Sequence, residues 1–209
     1  MVNNGIVVFI SGRGSNLNAI INAVNDGVIK YPISAVVSDR YCEGIEISRN
    51  NKLNTLIIDH KKFKSKLSFE KELIKKIKPL NPNLIVLAGF MQILSISFIK
   101  EFKSKIINIH PSLLPSFKGL NTHARAKEAG VLIHGCTIHF VNEKIDSGKI
   151  IAQGATSISK KFSESEIEKK ILNIEHILYP KVIAKLLDKE ININENNLIL
   201  CYDEWKKEV

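Results

Sequence analysis

The stretch IVVFISGRGSNLNAIINAV, Ile6 to Val24, decides the fold class. Its first residues, IVVFI, are an unbroken apolar and largely β-branched run of strand length. The run stops in SGRGSN, where Gly12 and Gly14 permit a tight turn, and LNAIINAV then continues as an amphipathic helix. A strand passing through a glycine turn into a helix opens a βαβ unit, and the same alternation recurs downstream. ISAVVSD leads into GIEISRNN, NTLIID precedes the helical FEKELIKKIK, and NLIVLAGF is followed by a further amphipathic stretch, MQILSISFIKEF. The pattern predicts an α/β fold with a mostly parallel sheet and helices on both faces. Pro79 and Pro82 mark the loop before the fourth strand.

After KIINIH, at 105–110, the pattern changes. TIHFVNEKIDSGKIIAQGAT predicts two strands joined by a turn at DSG, and SESEIEKKILNIEHILYPKVIAKLL a long helix. Ser163, with Glu166 three residues on, forms a capping box at the start of that helix. ININENNLILCY, at 191–202, predicts a closing hairpin. No repeat or long linker divides the 209 residues, so one domain is expected over 1–209.

Composition narrows the function. Forty-four per cent hydrophobic and 24% charged residues are ordinary globular values. The apolar runs are too short to span a bilayer, and the first lacks the basic segment of a signal peptide, so a cytoplasmic protein without a membrane partner is expected. The net charge of +9 raises nucleic acid as a partner. However, the lysines crowd HKKFKSK, ELIKKIKP and ISKKF without interleaved aromatic residues, and only four of the thirty basic residues are arginine, so no nucleic-acid partner is expected. Cys42, Cys136 and Cys201 are scattered and odd in number, which argues against a disulfide framework. Cys136 stands near His134 and His139, the right donors for zinc, but strand alternation turns His139 to the opposite face, and no metal is expected.

Two segments carry chemistry. SGRGSN occupies the position of a phosphate loop, where Gly14, Ser15 and Asn16 can present the N–H groups of a helix start to an anion. Leu17 stands where a dinucleotide fingerprint needs its third glycine, and no Gly-Lys-Ser/Thr follows. In NIHPSLLPSFKG, Asn108 and His110 project from one face at a strand end, and Pro111 ends the pairing. An amide and an imidazolium side by side can stabilise an oxyanion, and the imidazole can also move a proton. Asp146, in KIDSGK, is the candidate carboxylate partner for that imidazole. A turn aspartate before glycine is the alternative.

These segments, FISGRGSNLNAII, LAGFMQIL, INIHPSLLPSFKG, HGCTIHFV, IDSGKIIAQ and EHILYP, occur in order, and in them the chain resembles the folate-dependent phosphoribosylglycinamide formyltransferases. The resemblance implies a Rossmann-like formyltransferase fold. It places glycinamide ribonucleotide in the amino-terminal half, about 1–100, and 10-formyltetrahydrofolate against the carboxyl-terminal half, about 101–209. By it, Asn108, His110 and Asp146 are the catalytic trio, Gly14, Ser15 and Asn16 hold the phosphate, and Glu175 contacts the nucleotide. Met91, Gln92, Ile93 and Leu94 line the folate site with Asn108 and the loop from Val141 and Asn142 to Asp146. Lys66 approaches the folate's glutamate tail, no metal takes part, and the assembly is a monomer or homodimer. Gln92 stands where an arginine is frequent, and Asn121 where some members carry histidine. A formyltetrahydrofolate hydrolase would keep the trio without needing SGRGSN. A nucleotide-binding oxidoreductase module would use Asp39, at the end of the second strand, to hold a ribose.

Overall fold

The computed structural model describes residues 4–102, 105–190 and 198–201. In chain order the elements are β1 (Ile6–Ile10), α1 (Ser15–Asn25), β2 (Ile33–Ser38), α2 (Glu43–Asn50), β3 (Thr55–Ile57), α3 (Lys66–Ile77), β4 (Leu84–Leu87) and α4 (Ile96–Glu101). Then follow β5 (Ile106–His110), α5 (Thr122–Glu128), β6 (Ile133–Phe140), β7 (Ile150–Ser157), α6 (Glu164–Leu187) and β8 (Leu198–Cys201). The strands form one sheet in the order β3-β2-β1-β4-β5-β6-β7-β8. β6 runs antiparallel to both β5 and β7, and the other pairs are parallel.

The apolar run of β1 is buried on both faces because its side chains alternate. Ile6, Val8 and Ile10 pack with residues of α1, α2 and α6, whereas Val7 and Phe9 pack with residues of α3 and α4. Helices therefore cover both faces, as the sequence predicts. The chain leaves β1 toward β2 on one side and returns as β4 on the other. The carboxyl ends of β1 and β4 thus diverge at a topological switch point, where open α/β sheets form their ligand crevice.

One expectation needs revision. MQILSISFIKEF is helical only from Ile96, because Ser95 caps α4 by accepting from Phe98 N, and the buried Glu70 carboxylate of α3 accepts from Ser95 N (2.7 Å) and from its hydroxyl. Met91–Leu94 are consequently left as a loop at the switch point. In the closing segment, β8 lies parallel to β7, and the first arm of the expected hairpin falls outside the described residues. The Ser163 capping box is present, with Glu166 reaching back to Ser163 N (2.7 Å).

Candidate active site

A cavity of about 780 Å³ opens at the switch point. Strand β5 delivers Asn108 and His110 to it, and the β6–β7 connection, residues 141–149, folds over to deliver Asp146. Asp146 has φ +46, a left-handed backbone that aspartate tolerates better than most residues. Its Oδ2 accepts from Gly119 N (2.8 Å) and lies 3.4 Å from His110 Nδ1. The turn reading and the functional reading of Asp146 are therefore compatible: the turn is what aims the carboxylate. His110 is only 5% exposed. Its Nε2 stands 3.1 Å from the carbonyl of Phe117, which can only accept, so Nε2 carries a proton. Nδ1 is left as the nitrogen that faces Asp146. The HPSLLP loop is fixed from behind by Thr137, which donates to Ser112 O (2.6 Å) and accepts from Leu114 N (3.0 Å).

The opposite end of the cavity is built by α1 and α6. Gly14, with φ +78, is the N-cap of α1 and supplies no side-chain cap, so the first turn's N–H groups are free of one. Gly14, Ser15 and Asn16 all line the cavity. The glycine has a second reason to be there: a Cβ on Gly14 would fall 2.7 Å from Gly44 Cα in α2. Across from the turn, Glu175 is 4% exposed and accepts from Asn16 Nδ2 (2.7 Å). Burial, with Glu168 adding to it against the Asn16 hydrogen bond, raises the Glu175 carboxyl to about 7. The Asn16 carbonyl oxygen is buried and has no partner among the described residues.

Residues 4–183 match the family model described as formyl transferase. The chain belongs to the formyl transferase family. The phosphoribosylglycinamide formyltransferase of Escherichia coli (strain K12) is 40% identical over 192 residues, covering 91% of this chain and 91% of that protein. The trifunctional purine biosynthetic protein adenosine-3 of Homo sapiens is 35% identical over 204 residues, 97% of this chain and 20% of that longer protein. The solved phosphoribosylglycinamide formyltransferase from Coxiella burnetii superposes with a TM-score of 0.87 at 40% identity, covering 92% of this chain and 90% of that one. Glycinamide ribonucleotide transformylase 1 from Symbiobacterium toebii gives 0.88 at 34% identity, covering 92% and 91%.

In this formyl transferase, the loop Met91, Gln92, Ile93 and Leu94 lines the cavity together with Val141 and Asn142. Met91 and Ile93 are largely exposed there, while Leu94 is buried. Lys66, the first residue of α3, is exposed and is not part of the cavity wall. Gln92 does more than line an apolar pocket: its Nε2 donates to Asp39 Oδ2 (2.7 Å). Asp39 is fully buried and also receives Arg40 in a bidentate pair at 3.1 and 2.8 Å. Burial pushes this carboxyl up, but hydrogen bonds from Arg40, Ser11 and Gln92 outweigh it and hold the group below its ordinary value. Its oxygens are thereby engaged inside the protein, which removes the ribose-binding role that an oxidoreductase module would need.

Three cavity-side features escaped the sequence reading. The Phe117 carbonyl on His110 is a backbone contact from a residue with φ +54, and no side-chain pattern announces it. His123, at the start of α5, lines the cavity and its Nδ1 lies 3.3 Å from Nε2 of the buried His134, whose pKa burial lowers to about 4. His139 sits beside Asn108, and only the β5–β6 register could have revealed it. Among the described residues no group of three or more His, Cys, Asp or Glu is placed to hold a metal ion, and burial pushes the Cys136 thiol far up. No helix of the described residues is long and apolar enough to cross a membrane.

Proposed function

We propose that the protein transfers the formyl group of 10-formyltetrahydrofolate to the primary amine of glycinamide ribonucleotide, giving formyl-glycinamide ribonucleotide and tetrahydrofolate in cytoplasmic purine biosynthesis. The observation that carries this reading is that the Asn108–His110–Asp146 cluster and the Gly14–Asn16 turn with Glu175 open into one cavity. Its volume is of the order found for small-molecule sites. Helix α1 presents its N-terminus to the phosphate, and Glu175 with the unpartnered Asn16 carbonyl offers acceptors to the nucleotide's donors. Met91–Leu94 and the 141–146 loop form the side against which the flat folate heterocycle packs, and Lys66, outside the wall, is assigned only the folate's glutamate tail.

Attack of the amine on the formyl carbon places negative charge on the formyl oxygen. Asn108 Nδ2 donates to that oxygen, a contribution of about 3–4 kcal/mol by analogy with other preorganised donors, and the protonated His110 beside it stabilises the same charge. Asp146 balances the imidazolium charge and receives or relays the amine's proton, which ends on the folate nitrogen as the C–N bond to it breaks. Mixing the protein with glycinamide ribonucleotide and the formylfolate should release deformylated folate. Asn108→Ala, His110→Ala and Asp146→Asn should each lower kcat by orders of magnitude while leaving binding mostly intact. Deformylation at the same rate with the nucleotide omitted would instead identify a hydrolase.

A further inference from the structure

Asn108 and His139 are direct partners across the antiparallel β5–β6 pair, and Asn108 Nδ2 lies 3.2 Å from His139 Nε2. An amide nitrogen can only donate, so this contact is a hydrogen bond only if His139 Nε2 is bare. The other ring nitrogen settles that. His139 Nδ1 lies 2.9 Å from the carbonyl of Phe140, which can only accept, so Nδ1 holds the proton and a neutral ring has Nε2 free. His139 is 3% exposed. Burial is the largest influence on the ring and lowers its pKa, with His110 and Lys118 in the same direction and the Phe140 carbonyl and Asp146, whose Oδ1 is 3.7 Å from Nε2, opposing. A protonated Nε2 would demand the amide's oxygen in place of its nitrogen and would turn the group over.

We propose that His139 is a positioning residue for formyl transfer: as the Nδ1–H tautomer it takes one N–H of Asn108 and thereby fixes which end of that amide meets the reacting oxygen. The inference rests on the transfer reading above. With one N–H on His139, the remaining N–H and the carbonyl of Asn108 have no partner among the described residues, and Asn108 lines the cavity beside His110. Without His139 the amide can rotate, and in the flipped state an acceptor rather than a donor meets the developing negative charge.

The test is a double-mutant cycle on steady-state kinetics with glycinamide ribonucleotide and formylfolate. His139→Phe, which fills the site but accepts nothing, should lower kcat by about 10- to 100-fold with both KM values within about twofold. His139→Gln, whose carbonyl can reach the position of Nε2, should recover most of that loss, and His139→Asn, which is polar but too short, should not. In an Asn108→Ala background, His139→Phe should change kcat by less than about twofold, because its effect runs only through the amide. Equal losses in both backgrounds, or a kcat for His139→Phe within twofold of the unmodified protein, would overturn the proposal. If His139→Phe does not fold, judged by its thermal melt, the Gln and Asn pair decides the same question. Deformylation by the unmodified protein without nucleotide would overturn the transfer reading separately, and the same cycle would then be read on hydrolysis.

Discussion

Replacing Glu175 with glutamine should stabilise the ligand-free protein above about pH 4.5, with the full effect reached once the pH passes about 7. The native carboxyl titrates at about 7 against an ordinary value of 4.5, because it is buried with a single amide donor. Below pH 4.5 the folded and unfolded chains both hold the proton, and the group is neutral in its effect. As pH rises from 4.5 through about 7, the unfolded chain loses its proton first, so stability falls until the native state too is ionised. At about 1.36 kcal/mol per tenfold change in proton affinity, the loss above pH 7 is about 3 kcal/mol. Glutamine has no charge to bury, keeps an acceptor for Asn16 Nδ2, and can donate its own N–H to the unpartnered Asn16 carbonyl. For a chain of this size the difference corresponds to about 6–12 °C in Tm. Thermal melts at pH 8.5 should therefore place Glu175→Gln well above the unmodified protein, and melts at pH 4.5 should bring the two within about 2 °C. A Tm difference that does not depend on pH, or a variant that melts lower at pH 8.5, would refute the reasoning.

The buried His134 should act in the opposite sense. Its folded value of about 4 lies below the ordinary 6.5, so stability present above pH 6.5 is lost as pH falls toward 4, by up to about 3 kcal/mol, and His134→Gln should flatten that acid limb in urea titrations. Gly14→Ala should lower Tm by an amount equivalent to about 1–3 kcal/mol, because φ is +78 and the added Cβ would meet Gly44 Cα. An unchanged Tm with only the nucleotide KM raised would mean that the turn answers to the ligand alone. Ser163→Ala removes the cap of α6 and should cost about 1 kcal/mol in equilibrium denaturation.

Local patterns carried much of this architecture. The doubly covered sheet is legible in IVVFI and the runs after it, because a strand buried on both faces must be apolar at every position, and a glycine turn must separate it from the helix it feeds. The capping box at Ser163 is a spacing of three, and the shared face of Asn108 and His110 is a spacing of two, so both follow from chain geometry alone. The partners of those residues do not. Asn16 meets Glu175, and Asn108 meets His139, across sequence separations of 159 and 31 that only sheet register and helix docking close. MQIL has apolar content that suits a helix, yet Glu70 draws Ser95 into a cap and leaves the segment as a loop. Asp39 has the right position for a ligand contact, yet Arg40 and Gln92 occupy its oxygens. A polar side chain in a sequence states what it can bond, but burial decides which partner it must have, because a buried donor or acceptor left unpaired costs about 1–3 kcal/mol. The choice among partners is therefore made by packing, after the elements themselves are set.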